Sequence, residues 1–174
     1  MGDRGAHNIY GPRQRYDDPY RNVAAIMANR MLMGRPPVVY GDGRQKRCFS
    51  YIDDCVDCLV QMAAAPQVIG QTINIGPDRN FIEIGGLATL LSEIIGFDGA
   101  PERHPPRPAE VRFANCSADK ARTLLGFAPN TELAAGLRAL VEDIRARGPR
   151  PFRYHLPIEL DGPGLPRTWR DRLM

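Results

Sequence analysis

The chain has 174 residues, 43% of them hydrophobic, enough for one domain with a core of its own. Its 23 basic and 20 acidic residues leave a net charge of +3, too mild an excess, with too few interleaved aromatics, for a nucleic-acid-binding stripe. No apolar run is long enough to span a membrane, and residues 1–7 have neither the apolar stretch nor the cleavage site of a signal peptide, so the sequence predicts a cytoplasmic protein without a nucleic-acid or membrane partner.

In chain order, Asn8-Ile-Tyr-Gly-Pro-Arg13 reads as a loop, since Gly-Pro stops regular structure. Val23, Ile26, Met27, Arg30 and Met31 fall at helical spacing, and Gly34 ends that helix. Pro36-Pro37 forces an extended backbone into a short strand over 38–40, followed by a Gly41-Asp42-Gly43 turn. Residues 48–52 are extended. Asp53 is expected to cap a helix with Cys55, Val56, Leu59, Val60 and Met62 facing inward. A short strand over 72–75 and a helix over about 83–95 follow. The Pro-rich stretch 99–108 is loop or edge strand. Ser117 is expected to cap a short helix stopped by Gly126. Leu133, Leu137, Leu140, Val141 and Ile144 mark a longer amphipathic helix ending near Gly148. The tail 149–174 is rich in Pro and Arg and reads as irregular. Short strands alternating with amphipathic helices give an α/β class.

The four cysteines include a Cys55-x-x-Cys58 pair. A zinc site would need a second pair or nearby histidines, and His7, His104 and His155 are scattered, so the pair reads as two small apolar residues on one helix face and no metal is expected. No phosphate-cradling loop precedes a helix: Gly41-x-Gly43 lacks the third glycine. Asp53-Asp54 could be an acid–base pair, but at a helix start the capping role prevails.

The order of several short motifs carries more information than any one of them. Asn8-Ile-Tyr-Gly-Pro-Arg13, Tyr40-Gly-Asp-Gly43, Arg47-Cys-Phe-Ser-Tyr-Ile-Asp-Asp54, Asn74-Ile-Gly-Pro77, Arg107-Pro and Ser117-Ala-Asp-Lys-Ala-Arg-x-Leu-Leu-Gly126 follow one another. This succession resembles the C-terminal, substrate-binding part of the NAD-dependent epimerase/dehydratase family, the extended short-chain dehydrogenases that include UDP-glucose 4-epimerases and dTDP-glucose 4,6-dehydratases. The likeness covers about residues 8–147. It implies a small substrate-binding domain (1–148) with edge elements of a truncated Rossmann sheet, followed by a Pro/Arg-rich tail (149–174).

The resemblance further implies that Asn8 hydrogen-bonds the sugar or diphosphate and that Tyr40 lines the base. Arg47 and Arg107 would clamp the diphosphate through forked, permanently charged contacts, and Asn74 would border the same pocket. The family often places Asp after the first arginine; this chain has Cys48, which bears on how Arg47 is oriented. UDP- or dTDP-sugars are the implied ligands. NAD is the implied cofactor of a complete enzyme, not of this chain alone, because no tyrosine here has a lysine four residues later and the only lysines are Lys46 and Lys120. No catalytic residue is therefore assigned. The helix after Asp53 and the strand over 72–75 are expected to lack their sheet, which favours self-association or a separate Rossmann-domain chain. An epimerase is preferred over a dehydratase or a non-catalytic binding module, and residues 1–7 read as a truncated or misplaced start.

Overall fold

The computed structural model describes residues 8–78, 81–156 and 164–174. Among these residues seven short strands and six α-helices follow one another: β1 (Asn8–Tyr10), α1 (Val23–Leu32), β2 (Val38–Tyr40), β3 (Lys46–Arg47), β4 (Phe49–Tyr51), α2 (Ile52–Ala64), β5 (Ile82–Glu83), α3 (Ile84–Ile95), β6 (Glu102–His104), β7 (Phe113–Ala114), α4 (Asp119–Leu125), α5 (Leu133–Arg147) and α6 (Arg167–Arg170). The predicted α/β class holds. β1 pairs in parallel with β4, β2 in parallel with β6, and β3 lies between β5 and β7. The first motif, expected to be a loop, thus begins as a strand, and the Pro-rich stretch takes its edge-strand option.

The core lies where α1, α3 and α5 pack on one another. Ala24, Met27, Ala28, Leu87, Leu91, Leu137, Leu140 and Ile144 meet there, with Tyr10, Val39 and Phe49 supplied by the strands. These positions recur every three or four residues, the spacing that puts one apolar stripe inward. Asn22 caps α1, its side chain accepting from the Ala24 amide, and α3 ends at left-handed Gly96.

Two glycines let backbones approach. The Gly85 amide donates to the Gly43 carbonyl at 2.9 Å, and a Cβ on Gly43, at φ 75°, would meet Val39 at 2.9 Å. Gly136 faces the buried Tyr10, where a Cβ would stand 2.3 Å from the hydroxyl and 2.8 Å from Tyr51. Gly136→Ala gains at most about 1 kcal/mol of helix propensity. Overpacking against an immobile ring costs about 1–3 kcal/mol. The variant is therefore expected to melt a few degrees lower in calorimetry, and an unchanged or higher melting temperature would contradict this packing.

Several expectations are corrected. Asp53 does not cap α2. Extended Tyr51 occupies the cap position because β4 runs directly into the helix, leaving Asp53 and Asp54 in the first turn, where negative charge suits the unpaired amides. Asp54 also accepts from the amides of Asn130 and Thr131. The inward face of α2 consists of Cys55 and Cys58, one helical turn apart, whereas Val56, Leu59 and Val60 are 42%, 53% and 64% exposed. Only Ala118, Ala121 and Phe127, with Ile73, Ile75 and Leu125 beside them, pack around Cys58, too small a surface to cover the rest of the helix.

The predicted strand over 72–75 is absent. No neighbouring backbone is laddered to it, and Asn74 and Lys120 tie it to the start of α4 through side-chain contacts. Ser117 acts one position earlier than expected: Ala118 is the cap, and the Ser117 hydroxyl accepts from the Asp119 amide. The tail is not wholly irregular, since α6 forms within it.

Asp78 fastens this second cluster. Both its carboxylate oxygens accept from Arg122, at 2.8 and 3.0 Å, and Oδ2 also accepts from the Ala118 amide. These bonds, Arg122 first, hold the Asp78 pKa down to about 2. A depressed carboxylate stabilises the fold above its unfolded pKa of about 4 and loses that stability as pH falls toward the folded value. Asp78→Asn is expected to cost about 2 kcal/mol at neutral pH. It should also flatten the loss of stability between about pH 4 and 2, measured by urea unfolding; a parallel pH profile in parent and variant would refute this.

Candidate functional site

Four of the five predicted site residues come together. Asn8 at the start of β1, Tyr40 at the end of β2, Arg47 in β3 and Arg107 in the loop after β6 all line one cavity of about 180 Å³. Two further cavities, of about 400 and 250 Å³, share Tyr40 and Arg107 as walls.

The local chemistry of each residue follows from its element. Parallel pairing sets Asn8 opposite Phe49, and the Asn8 amide donates to the Cys48 carbonyl at 3.2 Å. Tyr40 ends the strand just before the glycine turn, with its ring half-buried and its hydroxyl bonded to Thr168. Burial raises the Tyr40 pKa, opposed by that hydrogen bond and by Arg107. The Arg107 guanidinium lies over the Tyr40 ring, 4.8 Å from its centroid.

The two arginines, sixty residues apart in sequence, converge on one oxygen. Arg107 Nη2 lies 2.5 Å from Glu110 Oε1 and Arg47 Nη2 lies 3.8 Å from the same atom. Arg47 also donates to the Lys46 carbonyl at 2.8 Å. Glu110 and Lys46 thus orient Arg47 where the family pattern would use a carboxylate at position 48. Cys48 itself is buried, its thiol pushed up to about 11 by desolvation. Burial also lowers the Arg47 pKa, against the pull of Glu110 and with the push of Arg107. Arg107 Nε is buried without a hydrogen-bond partner. A pair of forked cations with an unused donor can take an oxyanion with several acceptor oxygens, such as a diphosphate.

Asn74 is not brought to the cavity. It is exposed, and its amide donates to the Ser117 carbonyl at the start of α4. Sequence reasoning missed Glu110 and Trp169, both of which line the cavity. Glu110 stands three residues after Arg107, a spacing that could have suggested the pair; no periodicity points to Trp169.

The glycine turns of the described residues do not form a dinucleotide-binding loop. The Gly41–Gly43 turn leads into strand β3 rather than a helix, and the Gly85 amide at the start of α3 is already bonded to Gly43. Among the described residues there is no group of three or more His, Cys, Asp or Glu that could hold a metal ion, and no helix long and apolar enough to cross a membrane.

The described residues thus form an α/β unit in which two arginines from distant segments meet at one cavity. Residues 6–76 match the family described as NAD dependent epimerase/dehydratase. A UDP-glucose 4-epimerase of Mycolicibacterium smegmatis is 36% identical over 140 residues, 79% of this chain and 43% of that protein. Among solved structures, a UDP-glucose 4-epimerase from Thermotoga maritima with UDP-glucose matches at 35% identity with a TM-score of 0.71, covering 80% of this chain and 44% of the other. A variant of UDP-glucuronic acid 4-epimerase from Bacillus cereus, in complex with a UDP-sugar analogue and NAD, matches at 32% identity and a TM-score of 0.72, with coverages of 81% and 44%. The chain belongs to the NAD-dependent epimerase/dehydratase family and has the fold of part of an extended short-chain dehydrogenase. It spans less than half the length of the relatives it matches.

Proposed function

We propose that this chain holds a UDP-sugar by its diphosphate, as the substrate-binding portion of a UDP-glucose 4-epimerase-like enzyme. The observation that carries this is the convergence of Arg47 and Arg107 on Glu110 Oε1 in a cavity that also holds Asn8 and Tyr40. In this reading Glu110 stands where a phosphate oxygen would, so a diphosphate takes over the terminal nitrogens of both guanidinium groups. Asn8 offers its amide to the sugar or phosphate, and Tyr40 lines the base.

The relatives named for UDP-sugar epimerases and UDP-sugar decarboxylases share the UDP moiety, which supports UDP as the recognised part. In this reading residues 1–148 form the substrate-binding portion, and residues 149–174 follow it and add Trp169 to the cavity lining. Oxidation at the sugar would need NAD and a proton shuttle that these residues do not supply, so the chain alone is expected to bind without turnover. The exposed Val56, Leu59 and Val60 face of α2 is where a separate Rossmann-domain chain or a second copy would pack.

Titration calorimetry of the folded chain with UDP, UDP-glucose and dTDP is the test. Saturable binding of UDP and UDP-glucose is expected, with no epimerised sugar formed when NAD is added. Absence of heat with all three ligands would refute the proposal.

A further inference from the structure

The cavity that brings Arg47 and Arg107 together is closed by a part of the chain that no motif assigns to it. Trp169, in the short helix α6, lines it alongside Tyr40 and Arg107. The segment carrying Trp169 is firmly fixed. Thr168 is fully buried and bonded to the Tyr40 hydroxyl. The buried Arg30 donates to the Leu173 carbonyl at 3.1 Å, Arg35 donates to the Met174 carbonyl at 3.0 Å, and the Met174 amide donates to the Tyr154 hydroxyl at 2.8 Å. The indole itself stands edge-on to Tyr20, with ring centroids 5.3 Å apart at 82°. Contacts of this number and burial describe a built wall rather than a loose end.

A nucleoside diphosphate presents two chemically different ends. Its phosphates suit the arginines; its base needs a flat π-face to pack on. Two aromatic side chains line this cavity, Tyr40 and Trp169, and the Arg107 guanidinium already covers one face of the Tyr40 ring. Trp169 is the other, and its indole is the larger aromatic ring system of the two.

We propose that Trp169 is a substrate-binding residue against which the nucleobase of a nucleoside diphosphate packs. This rests on the diphosphate assignment of the cavity and adds to it the residue that distinguishes a nucleotide from a bare phosphate chain.

Trp169 is the only tryptophan in the sequence, so its emission reports on this one position. The 174-residue chain is titrated with UDP and, separately, with inorganic pyrophosphate, following fluorescence and heat together. UDP is expected to quench Trp169 saturably, with pyrophosphate binding through the arginines and leaving the emission nearly unchanged. Trp169→Ala is expected to weaken UDP about ten-fold while leaving pyrophosphate unaffected, and Trp169→Phe should keep most of the UDP affinity. The proposal is overturned if UDP binds without changing the emission, or if it binds both variants as tightly as the parent. Tighter binding to the alanine variant also overturns it, since the segment would then be blocking the cavity. Parent protein that is folded by circular dichroism and binds neither UDP nor pyrophosphate removes the diphosphate assignment itself. Parent protein that binds pyrophosphate as tightly as it binds UDP removes only the role of Trp169.

Discussion

Arg107→Ala is expected to weaken UDP binding about 100-fold, roughly 3 kcal/mol, in titration calorimetry. Three things are lost at once: a forked contact to phosphate, the buried Nε donor and the cation lying over the Tyr40 ring. The released Glu110 carboxylate, still 3.8 Å from Arg47, then competes more strongly with the ligand for the remaining guanidinium. Arg107→Lys keeps the charge and loses the fork, so it should recover only part of the affinity. Full affinity in the alanine variant would place the diphosphate elsewhere. Equal losses for alanine and lysine would show that planar, two-point recognition is what matters.

Arg30→Met should be the most destabilising single change away from the cavity. The side chain is 1% exposed and joins three segments: Nε donates to the Pro36 carbonyl at 2.7 Å, Nη1 to Leu173, and Nη2 to Glu102 at 2.6 Å. Burial lowers its pKa, yet guanidinium stays charged, and Glu102 helps to hold it so. Methionine keeps the bulk of the stem but leaves two carbonyls and a carboxylate without their donor, a loss of about 3 kcal/mol. A melting temperature lower by about 6–12 °C follows for a chain of this length. Trp169 emission should shift to the red as α6 loses its anchor. An unchanged melting temperature would show that solvent satisfies these groups in the folded state.

The helices were legible in the sequence because their apolar residues repeat at 3.6-residue spacing and pack on one another. The α1, α3 and α5 stripes needed nothing from elsewhere to be read. The orientation of α2 was not legible, because Val56, Leu59 and Val60 look as inward as Cys55 and Cys58 when periodicity is the only guide. Which apolar residues are buried depends on what surface a helix meets, and the cluster around Phe127 that packs on Cys58 does not reach Val56, Leu59 and Val60. The segment over 72–75 has strand composition, but a strand exists only when another backbone ladders to it. In the site, the arginines were found by resemblance and then by convergence. Trp169 could not be found, since its place beside Tyr40 is set by α6 docking some 130 residues further along the chain.

The partners of α1 bear on how this protein is made. Asn29 is buried and finds its hydrogen bonds at Arg150, while Arg30 waits for a carbonyl 143 residues further on. At about 5–20 residues per second, synthesis reaches that carbonyl roughly 7–30 seconds after Arg30 itself. Until then the polar groups of the first helix cannot be sealed from water, and the nascent chain offers its sticky α1 stripe to whatever chaperone is at hand. Closure of α1 is thus expected to wait until residues 150–173 have been made, which leaves α1 among the last elements to be locked.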